Sequence, residues 1–315
     1  MDFSRAFDTV KHKPLFEKYY KLDLNTNIYN WLVSYFEGRN HTTKFQGNNS
    51  TSLPINASIV QGSGVGPFSY DVAASDLQPK SKKFCMHKYA DDTYLVTAGD
   101  CQHEIAGELD NVVSWATKNN LSLNKSKTCE IVFFKRGLKR SDLPSPTPGI
   151  QRLSSITVLG VTLQSNLMMD DHTGTVLSEC ASLLYALGTL RAHGMQQPAL
   201  QEVFRAGVLS KIMYSSPAWW GFATANNCNR INAFLNKCKK RQYYPENAEM
   251  FESMCALADD ALFEKVAQNP SHVLHKFLPT LKTHDHNLRK RKHNFNLTSK
   301  DDKNFISRLI LKDTY

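Results

Sequence analysis

Tyr89-Ala90-Asp91-Asp92-Thr93-Tyr94-Leu95-Val96 decides how the rest of the chain is understood. Lys88 to Thr97 alternates around a central acidic pair, which is the pattern of a strand, a tight turn and a second strand. Two adjacent carboxylates disfavour each other's ionisation. A divalent cation relieves that repulsion, and Mg²⁺ takes few protein carboxylates while leaving room for substrate phosphates. On the dipeptide alone an ordinary turn is the better reading. The apolar strand on both sides shifts the balance, because burying a hairpin tipped with two acids makes little sense without a cation. Asp2, within residues 1–5 that read as the end of a strand begun further upstream, is the candidate third carboxylate. Three such acids could hold two Mg²⁺ ions about 3.5–4 Å apart, a clamp for the attacking and leaving oxygens of an in-line phosphoryl transfer.

Outward from the acidic pair, mixed structure is expected on both sides. Phe7, Val10, Leu15, Phe16 and Tyr19 suggest helix or turn ending near Asn25, and Ile28, Trp31, Leu32, Tyr35 and Phe36 recur at helical spacing until Gly38. Thr42 to Ile59 reads as a hairpin and loops. Gln61-Gly62-Ser63-Gly64-Val65-Gly66-Pro67 is a glycine-rich loop that opens a helix. Ile105, Leu109, Val112, Val113 and Ala116 share a helical face that stops at Lys118-Asn119-Asn120. Glu130 to Phe134 reads as a short buried strand, Leu143 to Gly149 as a loop, and Thr157 to Leu163 as one strand with Gly160 inside it. From about residue 174 the period is helical. Its stripes are Val176, Cys180, Leu183, Leu184, Leu187 and Leu190; then Leu200, Val203, Phe204 and Leu209; then Ile231, Phe234, Leu235 and Cys238. The change from mixed α and β to all-α near 170 marks the expected domain boundary. Beyond Pro279 the chain turns polar and basic and is expected to be extended or partly disordered.

Composition narrows the partners. The chain has 315 residues, 41% of them hydrophobic, enough for a core and for more than one module. No apolar run could cross a bilayer, and Met1-Asp2-Phe3-Ser4-Arg5 carries no signal-peptide pattern. The seven cysteines form no CxxC pair, which suits a reducing compartment, so an intracellular protein of nucleus or cytoplasm is expected. The histidines at 272, 275, 284 and 286 lack a cysteine beyond position 255 to join them and read as surface or packing. The formal charge of +9 is clustered at Lys135, Arg136, Lys139 and Arg140, at Lys237, Lys239, Lys240 and Arg241, and at Arg289 to Lys292. Each cluster alone reads as solvated surface; together they favour a polyanionic partner.

Five blocks resemble, in order, those of reverse transcriptases. They are Asp2-Phe3-Ser4-Arg5-Ala6-Phe7-Asp8-Thr9-Val10; Gln61-Gly62-Ser63; Tyr89-Ala90-Asp91-Asp92; Asn120 to Thr128; and Val158-Leu159-Gly160-Val161, which is similar to the primer grip. Ala218-Trp219-Trp220-Gly221-Phe222 and the closing Lys312-Asp313-Thr314-Tyr315 extend the likeness toward the jockey-type elements of animals. The resemblance implies an α+β fold, a right-hand polymerase palm with a ferredoxin-like antiparallel sheet and helices on one face, followed by an all-α thumb. It divides the chain into a palm at 1–170, a helical thumb or connection at 171–280 and a basic tail at 281–315. It also implies RNA-directed DNA polymerase activity with an RNA template, a DNA primer, deoxynucleoside triphosphates, two Mg²⁺ ions and no membrane partner. Asp2 and Asp91 would ligate the metals with Asp92 in support. Phe3 would offer backbone contacts to the triphosphate, and Phe7 would be the steric gate against a ribose 2′-hydroxyl. Gln61 and Gly62 would meet nucleotide and template, Tyr89 would join these substrate contacts, and Lys127 would protonate or neutralise the leaving pyrophosphate.

Two departures qualify the likeness. The family places a fingers region, and such elements an endonuclease, before the first block, whereas Asp2 stands at the start here. The expectation is a fragment that binds RNA–DNA hybrid but extends primers poorly or not at all. Gly64 stands where the family pattern has valine, loosening a backbone beside the template. An inert nucleic-acid-binding remnant and a two-metal nuclease are the competing readings. Phe7 argues against an RNA-templated RNA polymerase.

Overall fold

The chain is organised as two units, the first covering 1–132 and 137–153, the second 133–136 and 154–315. The structure, a computed structural model, describes residues 1–134, 137, 143–282 and 293–312. The basic clusters at 135–140 and 289–292, and the Asp313-Thr314-Tyr315 ending, lie outside the described residues.

The first unit mixes helices with short β-ribbons. Its helices are α1 (Ala6–Thr9), α2 (His12–Tyr20) and α3 (Thr26–Phe36), followed by the nested strands β1 (Asn40–His41), β2 (Lys44–Phe45), β3 (Asn48–Asn49) and β4 (Leu53–Pro54). Then come α4 (Gly66–Ala73), β5 (Phe84–Tyr89), β6 (Asp92–Thr97), α5 (Ile105–Lys118), β7 (Cys129–Ile131) and β8 (Gln151–Leu153). β5 and β6 pair antiparallel from Phe84↔Thr97 to Tyr89↔Asp92, the expected strand–turn–strand. β1 pairs with β4 and β2 with β3, so 42–59 is a hairpin region as its composition suggests. β7 is half-buried and pairs in parallel with β8, a partner the loop reading of 143–149 left unseen. The core gathers Leu15, Tyr19, Leu32, Phe36, Ile59, Tyr70, Leu77 and Val112. Buried Glu108 is accounted for locally: its carboxylate accepts the Lys80 and Ser81 backbone N–H groups at 3.0 and 2.8 Å.

The second unit opens with β9 (Ser155–Val158) and β10 (Val161–Gln164), then α6 (Asp170–Ala192), α7 (Gln197–Phe204), α8 (Ser210–Met213), α9 (Ser216–Trp219), α10 (Ala225–Lys240), α11 (Phe251–Gln268) and α12 (Phe305–Leu311). The single strand expected across Thr157–Leu163 is instead a hairpin, with Leu159 (φ 45°) and Gly160 (φ 83°) as its turn. Positive φ at both loop residues matches the right-handed twist of the flanking strands. Between α7 and α8 the residues Arg205–Leu209 form a π-helical turn. That wider turn slips the phase of the apolar stripe, burying Val208 and Ile212 while Val203 is left exposed and Leu209 half-buried.

α12 forms where an extended tail was expected. Asn304 caps it, accepting the Ile306 and Ser307 N–H groups, and Leu309 and Ile310 are buried. An ion pair docks it on α11: Arg308 donates through Nε and Nη2 to Asp259 Oδ2 at 3.0 and 2.9 Å, and the Trp220 indole donates to the same oxygen at 2.9 Å. The guanidinium also lies over the Trp220 ring, and a Cβ at Gly221 would run into it and the Lys303 carbonyl. The Trp220-Gly221 pair is thus a seat for α12. Asp259 is 2% exposed, so removing its partner leaves a buried charge uncompensated. Arg308→Met is expected to destabilise the helical unit by about 3 kcal/mol, read as a lowered urea midpoint.

Candidate active site

The site is built on an extended segment, Met1–Ser4, held along both edges by main-chain hydrogen bonds. On one edge the Met1 nitrogen donates to the Thr93 carbonyl at 2.7 Å and the Thr93 N–H returns a bond to the Met1 carbonyl at 3.3 Å. That exchange is the signature of a hydrogen-bonded antiparallel pair, so the register sets Asp2 opposite Asp92. On the other edge Ser4 N–H donates to Ser122 and Asn124 N–H to Asp2, with a bridge at Phe3↔Leu123. Strand alternation then turns Phe3 into the core, edge-on to Trp115, and directs Asp2 to the opposite face. Burial lowers the pKa of the Met1 amino group, while Cys129, Asp92 and Asp2 raise it; both acids therefore act on one nitrogen.

The turn between β5 and β6 consists of Ala90 and Asp91. Ala90 has φ 50°, a left-handed conformation that a Cβ disfavours, while Asp91 does not share it. Asp91 is half-buried and Asp92 exposed, the latter accepting from the Tyr94 hydroxyl at 3.3 Å. Among the described residues the Asp2 and Asp91 carboxylates take part in no hydrogen bond or ion pair. Their oxygens are of the class a hard divalent cation selects. As they stand, no three His, Cys, Asp or Glu side chains are gathered around one point among the described residues.

The loop after Asp2 is tied to the glycine-rich loop. Arg5 (φ 50°) turns the strand into α1, and the Phe7 carbonyl then accepts the Ile59 N–H at 2.7 Å. Gln61 Nε2 donates to Asp8 Oδ1 at 3.2 Å, a partner that sequence reading missed. The Phe7 ring is half-buried and stacks on Tyr70 of α4, centroids 4.9 Å apart and planes 20° from parallel. Asn120, in the left-handed region at φ 60°, ends α5 and lets Leu121 N–H reach back to the Ala116 carbonyl. Its side chain donates to the Thr9 carbonyl at 2.8 Å. The following segment turns again at Asn124–Thr128, where Thr128 Oγ1 accepts the Asp2 N–H at 3.4 Å. Lys127 is exposed on that turn, beside the backbone of Asp2. Phe3 and Tyr89 stand apart from this cluster by their side chains: the Phe3 ring is core, and Tyr89 is 65% exposed at the end of β5.

Gly62 and Gly64 differ physically. Gly62 has φ 80° in the turn closed by Ser63 N–H to the Val60 carbonyl, whereas Gly64 has ordinary φ and open space where a methyl group would point. Gly62→Ala should destabilise by about 1 kcal/mol. Gly64→Ala should instead stabilise by about 0.4–1 kcal/mol, because it restricts the unfolded chain. Paired denaturant curves of the two variants check both signs.

Residues 1–163 match the family described as "Reverse transcriptase (RNA-dependent DNA polymerase)". The "Probable RNA-directed DNA polymerase from transposon BS" of Drosophila melanogaster is 28% identical over 255 residues, 76% of this chain and 28% of that protein. The RNA-directed DNA polymerase from mobile element jockey of Drosophila funebris is 24% identical over 307 residues, 92% of this chain and 33% of that protein. Its Drosophila melanogaster counterpart is 22% identical over 304 residues, with the same coverage of 92% and 33%. The chain spans a third or less of the length of these relatives.

Proposed function

The chain belongs to the reverse transcriptase family, with jockey-like non-LTR elements among its relatives, and on that premise we propose that it is the RNA-directed DNA polymerase part of such an element. The reading rests on one observation above all: Met1–Ser4 lies against β6 in a register that faces Asp2 with Asp92, next to the Ala90-Asp91 turn. Asp2 and Asp91 hold two divalent cations, with Asp92 in support. When bound, such ions neutralise the charge of the triphosphate and of the primer oxygen that attacks it. The three acids serve this purpose because they are poorly matched to any other: two of them have no partner among the described residues.

The remaining residues bind and orient. Phe7, backed by Tyr70, occupies the volume where a ribose 2′-hydroxyl would project. Gln61, steadied by Asp8, and Gly62, whose backbone is open to approach, meet nucleotide and template. The Phe3 backbone and the Tyr89 ring complete the substrate contacts. Lys127, exposed beside Asp2, supplies a proton or positive charge to the departing pyrophosphate. In this reading 1–170 is the palm, 171–280 the thumb and 281–315 a basic tail, with the duplex gripped through its phosphates. Among the described residues no helix is long and apolar enough to cross a membrane.

The test is single-nucleotide incorporation into a DNA primer on an RNA template, with the 315-residue chain in excess and Mg²⁺ or Mn²⁺ present. Hybrid binding with at most slow incorporation, any such incorporation being abolished by Asp91→Asn with hybrid affinity within about twofold of the parent, is the expected result. Cleavage of labelled hybrid without nucleotides would point to a nuclease, and hybrid binding without any incorporation to an inert binding remnant. In the incorporating protein Phe7→Val is expected to narrow the preference for deoxy over ribonucleotides by about tenfold or more, equivalent to a lost transition-state discrimination of at least about 1.4 kcal/mol. The ratio of kcat/KM for the two sugars measures it.

A further inference from the structure

The turn at Leu159-Gly160 is held from outside its own ribbon. Tyr214, which closes α8, donates its hydroxyl to the Leu159 carbonyl at 3.1 Å. Its ring lies against Gly160, where an added Cβ would stand 3.2 Å from the Tyr214 Cε1. A second anchor grips the strand that leaves the turn. Val158 and Val161 flank the loop as a hydrogen-bonded pair, so the Thr162 N–H points away from β9. It donates instead to His172 Nδ1 of α6 at 3.3 Å. Trp219 joins the two anchors. Its indole donates to the Tyr214 carbonyl at 3.0 Å, and its buried ring meets the His172 ring edge-on, centroids 4.7 Å apart. Leu159, Tyr214, Trp219, His172 and Thr162 thus form a closed circuit that ties the hairpin tip to the helices of its own unit.

Satisfying a buried group does not explain the Tyr214 bond. Tyr214 is 52% exposed, so water could serve its hydroxyl as well. Nor does the bond bury the turn, since Leu159 is itself 40% exposed. It bears on conformation instead. Leu159 is a non-glycine residue at φ 45°, a left-handed state that costs energy and persists only where surrounding contacts over-determine it. The phenol pins the carbonyl of that residue, and the same ring presses on the next one. The turn is thereby held in one orientation, with the Leu159 side chain exposed at its tip.

We propose that Tyr214 is a positioning residue for the Leu159-Gly160 turn, its hydroxyl fixing the orientation in which that turn meets the terminal sugar of the primer. The proposal rests on the polymerase reading, in which this turn, similar to the family's primer grip, touches the primer strand. It adds a residue outside the five blocks of the resemblance. Losing the hydroxyl frees Leu159 to leave its left-handed state without unfolding the ribbon, because the strand pairing and the Thr162–His172 bond remain. The expected defect is one of aim rather than of affinity, since contacts to phosphates along the duplex carry most of the binding.

The experiment uses the full chain bound to an RNA–DNA hybrid whose primer ends in a diazirine-bearing nucleotide. Irradiation and peptide mapping then read where the primer terminus lies. In the parent the crosslink is expected in the peptide that holds Leu159 and Gly160. Tyr214→Phe keeps the ring and removes only the hydroxyl. It should lower that crosslink about fivefold, the shift that one lost hydrogen bond allows, with hybrid affinity within about twofold of the parent. Arg308→Met is the comparison for general destabilisation: it lowers the urea midpoint and should leave the crosslink at its parental yield. Parental yield in Tyr214→Phe overturns the proposal, as does an equal fall in Arg308→Met, which would tie the loss to stability. A parent that binds hybrid but crosslinks elsewhere overturns it too, and leaves single-nucleotide incorporation to judge the polymerase reading. No hybrid binding by the parent defeats both.

Discussion

The first unit depends on how residues 1–4 are paired. Main-chain bonds from Thr93 on one side and from Ser122 and Asn124 on the other hold this segment extended. Alternation does the rest. Phe3 drops into the core against Trp115 and so fixes α5, while Asp2 is carried to the other face. The left-handed Arg5 breaks the strand and starts α1, which delivers Phe7 to the Tyr70 ring. Likewise the left-handed Asn120 stops α5 and returns the chain along the open edge. Neither turn residue is glycine. Both sit in a conformation that costs energy and persists because the surrounding bonds over-determine it, as is usual near functional sites.

Much of this was legible because it is local. The alternation around Asp91-Asp92 is a period-two pattern, and a tight turn preserves its register. The glycine-rich loop packs closely where it opens α4, since a Cβ at Gly66 would come within 3.0 Å of the Val60 carbonyl, and Pro67 suits the first turn of that helix. What escaped depends on partners remote in sequence or on irregular backbone. Leu159 gives no hint of positive φ, so its hairpin looked like one strand with a glycine inside. β8 becomes a strand only through its pairing with β7. The π turn at Arg205–Leu209 breaks the 3.6-residue period by which Val203 and Leu209 had seemed to share a face.

Counting charges also overstates how many are free. Within the basic stretch at the end of α10, Lys239 lies over the Tyr244 ring and donates to the carbonyls of Glu246 and Ala248 at 3.0 and 2.6 Å. It secures the loop that follows the helix. Lys237, Lys240 and Arg241 remain exposed there and complement the negative end of the helix dipole. Arg191 shows the same economy: it donates to the Arg241 carbonyl at 2.7 Å and lies over the Tyr243 ring. The surface able to meet a polyanion is therefore smaller than the cluster of lysines and arginines suggests.

Among the described residues Asp2 is seated by its peptide groups alone, and its carboxylate, like that of Asp91, braces nothing around it. Shape and chemistry are thereby uncoupled at this locus. A single base change could erase the acid and leave a well-folded polypeptide, invisible to the cellular machinery that clears misfolded chains.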